Sequence, residues 1–223
     1  MPFNTIIPLD KPYGWSSFDA IRYAQREIQR ATGERKFKIG HAGTLDPLAT
    51  GLLLVCVGQA TKQAEQLQAE PKEYLANICL GATTPSFDLE TELVPQASYS
   101  HVSRASLEAQ LSQMLGEQLQ MPPQFSAKQV DGQRAYALAR KGVEVHVKPN
   151  AIAIYSLDVV RFAPPHVDLL VRCSKGTYIR SLAHSLGQAL GCGAYLCGLR
   201  RTANGGYRIE KSVTPDGISK VFC

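Results

Sequence analysis

Residues 40–51 read Gly40-His41-Ala42-Gly43-Thr44-Leu45-Asp46-Pro47-Leu48-Ala49-Thr50-Gly51, which places one carboxylate among small and rigid residues directly ahead of an apolar run. Gly40 and Gly43 permit close approach of the backbone to a ligand, and Gly51 lets the chain turn into the run that follows. Pro47 biases Asp46 away from helical φ/ψ, so its carboxylate is held rather than floppy. Small, rigid and ionisable residues converging on one short loop have the make-up of a site. An isolated loop aspartate also serves as an Asx-turn acceptor or a helix cap, so the residue types alone leave both readings open.

Other chemistries find less support. The six cysteines, Cys56, Cys79, Cys173, Cys192, Cys197 and Cys223, form no CxxC pair and sit mostly among aliphatic neighbours. That suits reduced, buried thiols rather than zinc ligands or disulfides. The five histidines, at 41, 101, 146, 166 and 184, offer no HExxH or other close ligand spacing, so no metal site is expected. There is no P-loop and no dinucleotide fingerprint.

The elements that must position Asp46 follow from pattern. Residues 3–9 read as a strand, Lys11-Pro12-Tyr13-Gly14 as a turn. Ser16 with Asp19 resembles a capping box and predicts a helix to Gly33, with Phe18, Ile21, Ala24, Ile28 and Ala31 on its apolar face and Arg22, Arg26 and Arg30 on the other. Residues 34–50 read as a loop, 51–58 as a buried strand, a short helix capped by Thr61 runs to Ala69, and 74–80 is a strand. Residues 81–100 form a loop or substrate-facing insertion. A helix resumes at Ser103 with Leu107, Leu111, Met114 and Leu115 buried. Residues 121–125 break regular structure, 135–141 read as a short basic helix, and 143–171 as two or three β-rich runs. Residues 177–190 form a helix ended by Gly191, and Asn204-Gly205-Gly206 marks a hairpin turn. Strands and helices mix without strict βαβ alternation, which predicts an α+β fold with a mixed, largely antiparallel sheet flanked by helices.

With 223 residues, 44% hydrophobic and 19% charged, the chain has the composition of one globular domain. Disorder and collagen-like repeats are excluded. No apolar run approaches the roughly 18 residues of a membrane span, and the N-terminus lacks a signal-peptide pattern, so the expected location is the cytoplasm. The net charge of +5 tilts toward a polyanionic partner without establishing one.

The segment Gly40 to Leu53 closely resembles the catalytic signature of the TruB family of tRNA pseudouridine synthases. Three further stretches agree in order and spacing. Leu9-Asp10-Lys11-Pro12-Tyr13-Gly14-Trp15-Ser16-Ser17 resembles the family's N-terminal motif, Lys72-Glu73-Tyr74 its tyrosine-bearing strand, and Ser174 to Leu182 with Leu199-Arg200-Arg201-Thr202 its C-terminal motif. The resemblance implies a pseudouridine synthase-type catalytic domain over residues 1–223, with 208–223 a short tail and no PUA-type RNA-binding domain. It also implies the reaction: the N1–C1′ bond of a uridine in the tRNA T-loop, position 55, is broken, and the uracil rejoins through C5. No redox change or energy source is needed, so no cofactor is expected.

By resemblance Asp46 is the nucleophile, which attacks C1′, attacks C6 or acts as a base. Arg180 resembles the arginine that pairs with it, which keeps a carboxylate ionised in a desolvated pocket; read alone, it is a surface arginine of an amphipathic helix. Tyr74 resembles the tyrosine that stacks on the target base, although a strand tyrosine is usually core. Tyr178 and Leu199 resemble substrate-pocket residues. His41 stands where the family inserts a side chain into the RNA loop as the base flips out. Lys11, Lys62, Lys128, Arg200 and Arg201 are candidate phosphate contacts, as are Arg134, Arg140 and Lys141. The implied partner is the tRNA T-arm, bound by a monomer with no obligate protein partner. Two alternatives compete: a tRNA-binding module whose main role is tRNA folding, and a glycosyl-transfer enzyme acting on a free nucleoside, which the basic residues disfavour.

Overall fold

The structure, a computed structural model, describes residues 4–125, 129–130, 133–134 and 148–222. The chain forms two compact units, one of residues 1–74 with 199–223 and one of residues 75–198. Its elements in order are β1 (Thr5–Lys11), α1 (Ser17–Thr32), β2 (Ile39–Ala42), β3 (Ala49–Val57), α2 (Ala64–Ala69), β4 (Lys72–Leu80), β5 (Ala82–Thr83), β6 (Val94–Pro95), α3 (Arg104–Gln113), β7 (Gly116–Gln120), β8 (Gln129–Val130), β9 (Gln133–Arg134), β10 (Asn150–Ala163), β11 (His166–Cys173), α4 (Ile179–Ala189), β12 (Ala194–Asn204) and β13 (Tyr207–Arg208). The sheet is mixed and mostly antiparallel with flanking helices, as the pattern predicted. The strands β4 and β12 each pass from one unit to the other.

In the first unit β3 is the central strand. It pairs antiparallel with β1, from Thr5↔Val57 to Lys11↔Gly51, and with β2, from Ile39↔Val57 to Ala42↔Leu54. At its start, from Ala49 to Gly51, it runs parallel to β12, with Leu199↔Ala49 and Arg201↔Gly51 in register. Flanked on both edges, β3 needs apolar residues on both faces, and all of Leu52 to Val57 are buried. Leu52, Leu54 and Cys56 form a cluster with Ala42 and Ala60.

The capping box of α1 is present, with Asp19 N donating to Ser16 Oγ and Ser16 N to the Asp19 carboxylate, and Gly33 closes the helix in the left-handed region at φ 73°. The buried ridge is Ser17, Ala20, Ile21, Ala24 and Ile28. Phe18 lies a quarter-turn off it and is 66% exposed, and Ala31 is exposed as well, so both leave the expected apolar face. Residues 39–42 form β2 inside the expected loop; their small and polar composition hides a strand that only pairing with β3 creates. Thr61 sits within a 3-10 turn and donates its hydroxyl to Gly58 O instead of capping α2.

In the second unit the strand order is β12-β4-β11-β10-β7. The strand β4 alternates in burial residue by residue, and β10 and β11 form a long bulged hairpin. The helix α3 is capped by Ser103, where the helix was expected to begin, and buries Leu107 and Leu111, but it ends at Gln113, so Leu115 lies beyond it and is 46% exposed. Residues 81–100 hold the short β5–β6 pair and a buried polar turn. The expected basic helix at 135–141 lies outside the described residues. Among the described residues no helix is long and apolar enough to cross a membrane.

The helix α4 packs backbone to backbone at Gly187, which accepts from both Cys192 N and Gly193 N. A Cβ there would overlap the backbone of Gly193 and Ala194, which cannot move aside as a flexible side chain would. Gly187→Ala is expected to cost about 3 kcal/mol by overpacking, read as a lower urea midpoint with an unchanged m-value.

Candidate active site

The Asp46 loop is held from three sides. Ser17 Oγ, the first residue of α1, accepts from Leu45 N at 2.8 Å and donates to Leu45 O at 3.0 Å. Pro47 O accepts from Gly14 N at 2.9 Å, and Ala49 N closes the turn onto Asp46 O at 3.1 Å. Beneath the loop lies Arg201 on β12, 1% exposed, whose Nη2 donates to Gly43 O at 3.0 Å, Nη1 to Thr44 O at 3.4 Å and Nε to Leu52 O at 2.7 Å. Gly51, at φ 99°, is required here: a Cβ would overlap the Arg201 backbone, and L residues avoid that φ. Asp46 itself is half-buried.

Lys11 is fully buried, with Nζ donating to Trp15 O at 2.6 Å, Pro12 O at 3.0 Å and Pro47 O at 3.5 Å. The expectation that Lys11 and Arg201 contact RNA phosphates is therefore corrected. Both spend their donors on carbonyls of the loops around Asp46, since a buried cation needs every donor satisfied. Burial pulls the Lys11 ammonium down to about 8, opposed by the negative charge of Asp46 and assisted by the positive charge of Arg201. His41, on β2, is half-buried; burial and then Arg201 lower its pKa, which favours the neutral imidazole, and among the described residues its Nδ1 has no hydrogen-bond partner.

The other residues of this unit divide by exposure. Leu199 sits in register with Ala49, and its carbonyl accepts from Thr50 Oγ1 at 3.4 Å. Arg200 is partly exposed and forms a bidentate pair with Asp10, at 3.0 and 2.7 Å, which leaves it only part of its reach toward an anion. Lys62 is exposed in the 3-10 turn after β3. Tyr74 is 8% exposed on the inward face of β4, the face that also carries the buried Lys72. Lys128 lies outside the described residues.

In the second unit, Arg180 is 4% exposed near the start of α4. Its Nη1 lies 3.5 Å from Asp88 Oδ2 and donates to Phe125 O at 3.1 Å and Ser86 O at 3.3 Å. The surface-arginine reading is thereby excluded. Tyr178, half-buried, is fixed through its backbone, which exchanges two hydrogen bonds with the Gln120 side chain. Asp88 was missed by sequence reasoning, as were Ser86 and Thr84. Thr84 Oγ1 and Ser86 Oγ both donate to Asp88 O, and Asp88 Oδ1 accepts from Glu90 N. The available signal was an aspartate among small hydroxyl residues in a long segment otherwise without periodicity.

With this geometry in place, comparison with known proteins is decisive. Residues 29–179 match the family model described as TruB family pseudouridylate synthase (N terminal domain), and residues 180–223 match the tRNA pseudouridylate synthase B C-terminal domain. The chain belongs to the TruB family. It is 47% identical to tRNA pseudouridine synthase B of Bacteroides fragilis, over 94% of this chain and 90% of the relative. It is 42% identical to that of Methylobacillus flagellatus, over 97% of this chain and 69% of the relative. Among solved structures, it resembles a chain of a Cbf5-Nop10-Gar1 complex at 27% identity and TM-score 0.73, and one of the archaeal box H/ACA sRNP Nop10-Cbf5 complex at 26% and 0.70. It covers 98% and 99% of itself and 54% of each of those chains, so it spans about half their length. As a TruB family member it is a pseudouridine synthase, an isomerase with the α+β fold of that class.

In this TruB chain the first family match holds His41, Asp46, Tyr74, Asp88 and Tyr178, and the second holds Arg180, Leu199, Arg200 and Arg201. A single held carboxylate with two buried cations near its loop is equipped to act as an anion. Lys11 supplies a pH signature. Its folded pKa, about 8, is below the ordinary 10.5, so between these values the unfolded chain holds more protons. Its contribution to stability therefore rises with pH across that window and is flat below and above it. Urea unfolding from pH 7 to 11 is expected to show this rise in wild type and to lose it in Lys11→Met.

Proposed function

We propose that this protein converts uridine to pseudouridine in the T-loop of tRNA, at position 55, with Asp46 as the nucleophile acting on a flipped-out base. The observation that carries the reading is the Asp46 loop, whose backbone at Leu45, Pro47 and Gly43 is pinned by Ser17, Lys11 and Arg201 around a half-buried Asp46, within the segment that matches the family. The relatives of nearly equal length are named tRNA pseudouridine synthase B, which supports tRNA as the substrate.

The chemistry suits the residues. The N1–C1′ bond breaks, the uracil turns and the C5–C1′ bond forms; the C5 proton leaves to water and N1 takes one up from water, so atoms and charge balance without an added reactant. The freed base must be retained, and one carboxylate suffices where hydrolysis uses two. Arg180 is proposed as the cationic partner of Asp46, and Tyr74 as the ring stacked on the base, a contact worth roughly 1–3 kcal/mol. His41, neutral by burial, takes the place the uridine vacates. Tyr178 and Leu199 are proposed as substrate-binding residues, and Lys62 and Arg200 as contacts to the RNA backbone. Residues 1–223 act as one catalytic domain, as a monomer in the cytoplasm.

The test is tritium release from a tRNA transcript labelled at uridine C5. Wild type is expected to release it and Asp46→Asn to lose turnover by about 10^3-fold or more, while its affinity for the transcript stays within a few-fold. Near-normal release by Asp46→Asn would sink the assignment. Tight binding without release by wild type would favour a tRNA-folding role.

A further inference from the structure

One ridge of α1 is left unused by the site. Phe18, Arg22, Arg26 and Arg30 are spaced by four residues, so they follow one another along the helix surface, and all four are exposed. The ridge extends about 18 Å from Phe18 to Arg30 at the helical rise per residue. Its Phe18 end lies at the catalytic loop, because Ser17 is hydrogen-bonded to Leu45, the neighbour of Asp46. Tyr13, 61% exposed, belongs to the same end, since Gly14 N donates to Pro47 O.

The side chains are suited to a polyanion bearing flat bases. The Arg22 guanidinium lies 5.7 Å from the Phe18 ring centroid, which extends the aromatic surface with a cation. Among the described residues, neither Arg22 nor Arg26 forms an ion pair with a carboxylate within 4 Å, whereas Arg30 is paired with Glu27. Asp19, three residues from Arg22, feels the Arg22 charge, but its carboxylate is hydrogen-bonded by Ser16 N and Oγ. Two exposed arginines one turn apart and outside any close ion pair suit phosphates, and an exposed aromatic at the loop end suits a base.

We propose that this ridge is a substrate-binding surface: Phe18 and Tyr13 stack on unpaired bases next to the target nucleotide, and Arg22 and Arg26 track the phosphates of the same RNA away from the catalytic loop. The proposal rests on RNA being the substrate. It adds a surface that none of the matching motifs assigns, and it replaces Lys11 and Arg201, whose burial removed them from the phosphate-binding set.

The experiment uses the full chain and an unmodified tRNA transcript, with affinity measured across a salt series and turnover by tritium release. Arg22→Gln/Arg26→Gln is expected to weaken binding roughly tenfold at low salt and to flatten the slope of log affinity against log salt by about 1.5 to 2. Arg22→Lys/Arg26→Lys should keep the wild-type slope. Phe18→Ala should raise KM roughly tenfold with little change in kcat and an unaltered salt slope, since it removes stacking and no charge. All these positions are exposed, so thermal melts should coincide with wild type. Wild-type turnover combined with unchanged affinity, KM and slope in the variants would overturn the surface alone. A wild type that neither binds nor converts the transcript would overturn the functional reading and this surface with it.

Discussion

Two buried cations, Lys11 and Arg201, hold the loops around the Asp46 carboxylate by binding main-chain oxygens, and most of the first unit is arranged to make that possible. A cation removed from water is stable only if each donor finds an acceptor. Arg201 finds three carbonyls, of Gly43, Thr44 and Leu52, and Lys11 three, of Pro12, Trp15 and Pro47. Those six groups belong to the turn after β1, the Asp46 loop and the start of β3. Fixing them fixes where Asp46 can be, and the two positive charges favour an anion there.

The sheet explains why these cations end up together. Lys11 is the last residue of β1 and pairs with Gly51, while Arg201, on the parallel neighbour β12, also faces Gly51. Gly51 is thus the crossing point of three strands, and the absence of its side chain lets the backbone of β12 close in. The apolar residues from Leu52 to Val57 anchor this crossing in the core. The helix α1 adds the remaining restraint through Ser17, which holds both backbone groups of Leu45. Backbone bonds at Leu45 and Pro47, on either side of Asp46, preorganise the position from which its carboxylate extends.

Arg180 is a comparable case in the second unit. It is buried, carries an ion pair to Asp88 and donates to two carbonyls, so its guanidinium is oriented by residues of the 81–100 segment and by Phe125. A segment read from sequence as a loop or insertion therefore serves as a rigid holder for a cationic side chain, built from Thr84, Ser86, Asp88 and Thr91 hydroxyl and carboxylate contacts.

The sequence by itself determined the local features: the capping box of α1, the buried run of β3, the strand at 74–80, the glycine stop after α4 and the hairpin at Asn204-Gly205-Gly206. Each depends on neighbours a few residues away, where spacing and side-chain type suffice. It also marked Asp46, because glycines and a proline around one carboxylate are a local signal. Only the tertiary structure decided what depends on distant partners. The strand β2 exists through pairing with β3, Asp88 meets Arg180 across 92 positions of sequence, and Phe18 turned outward because the small residues Ser17, Ala20 and Ala24 fill the contact face of α1. Lys11 and Arg201 show the limit most clearly. Basic residue types suggested solvent and phosphate, but burial is set by which strands flank the residue, and that information is spread over the whole chain.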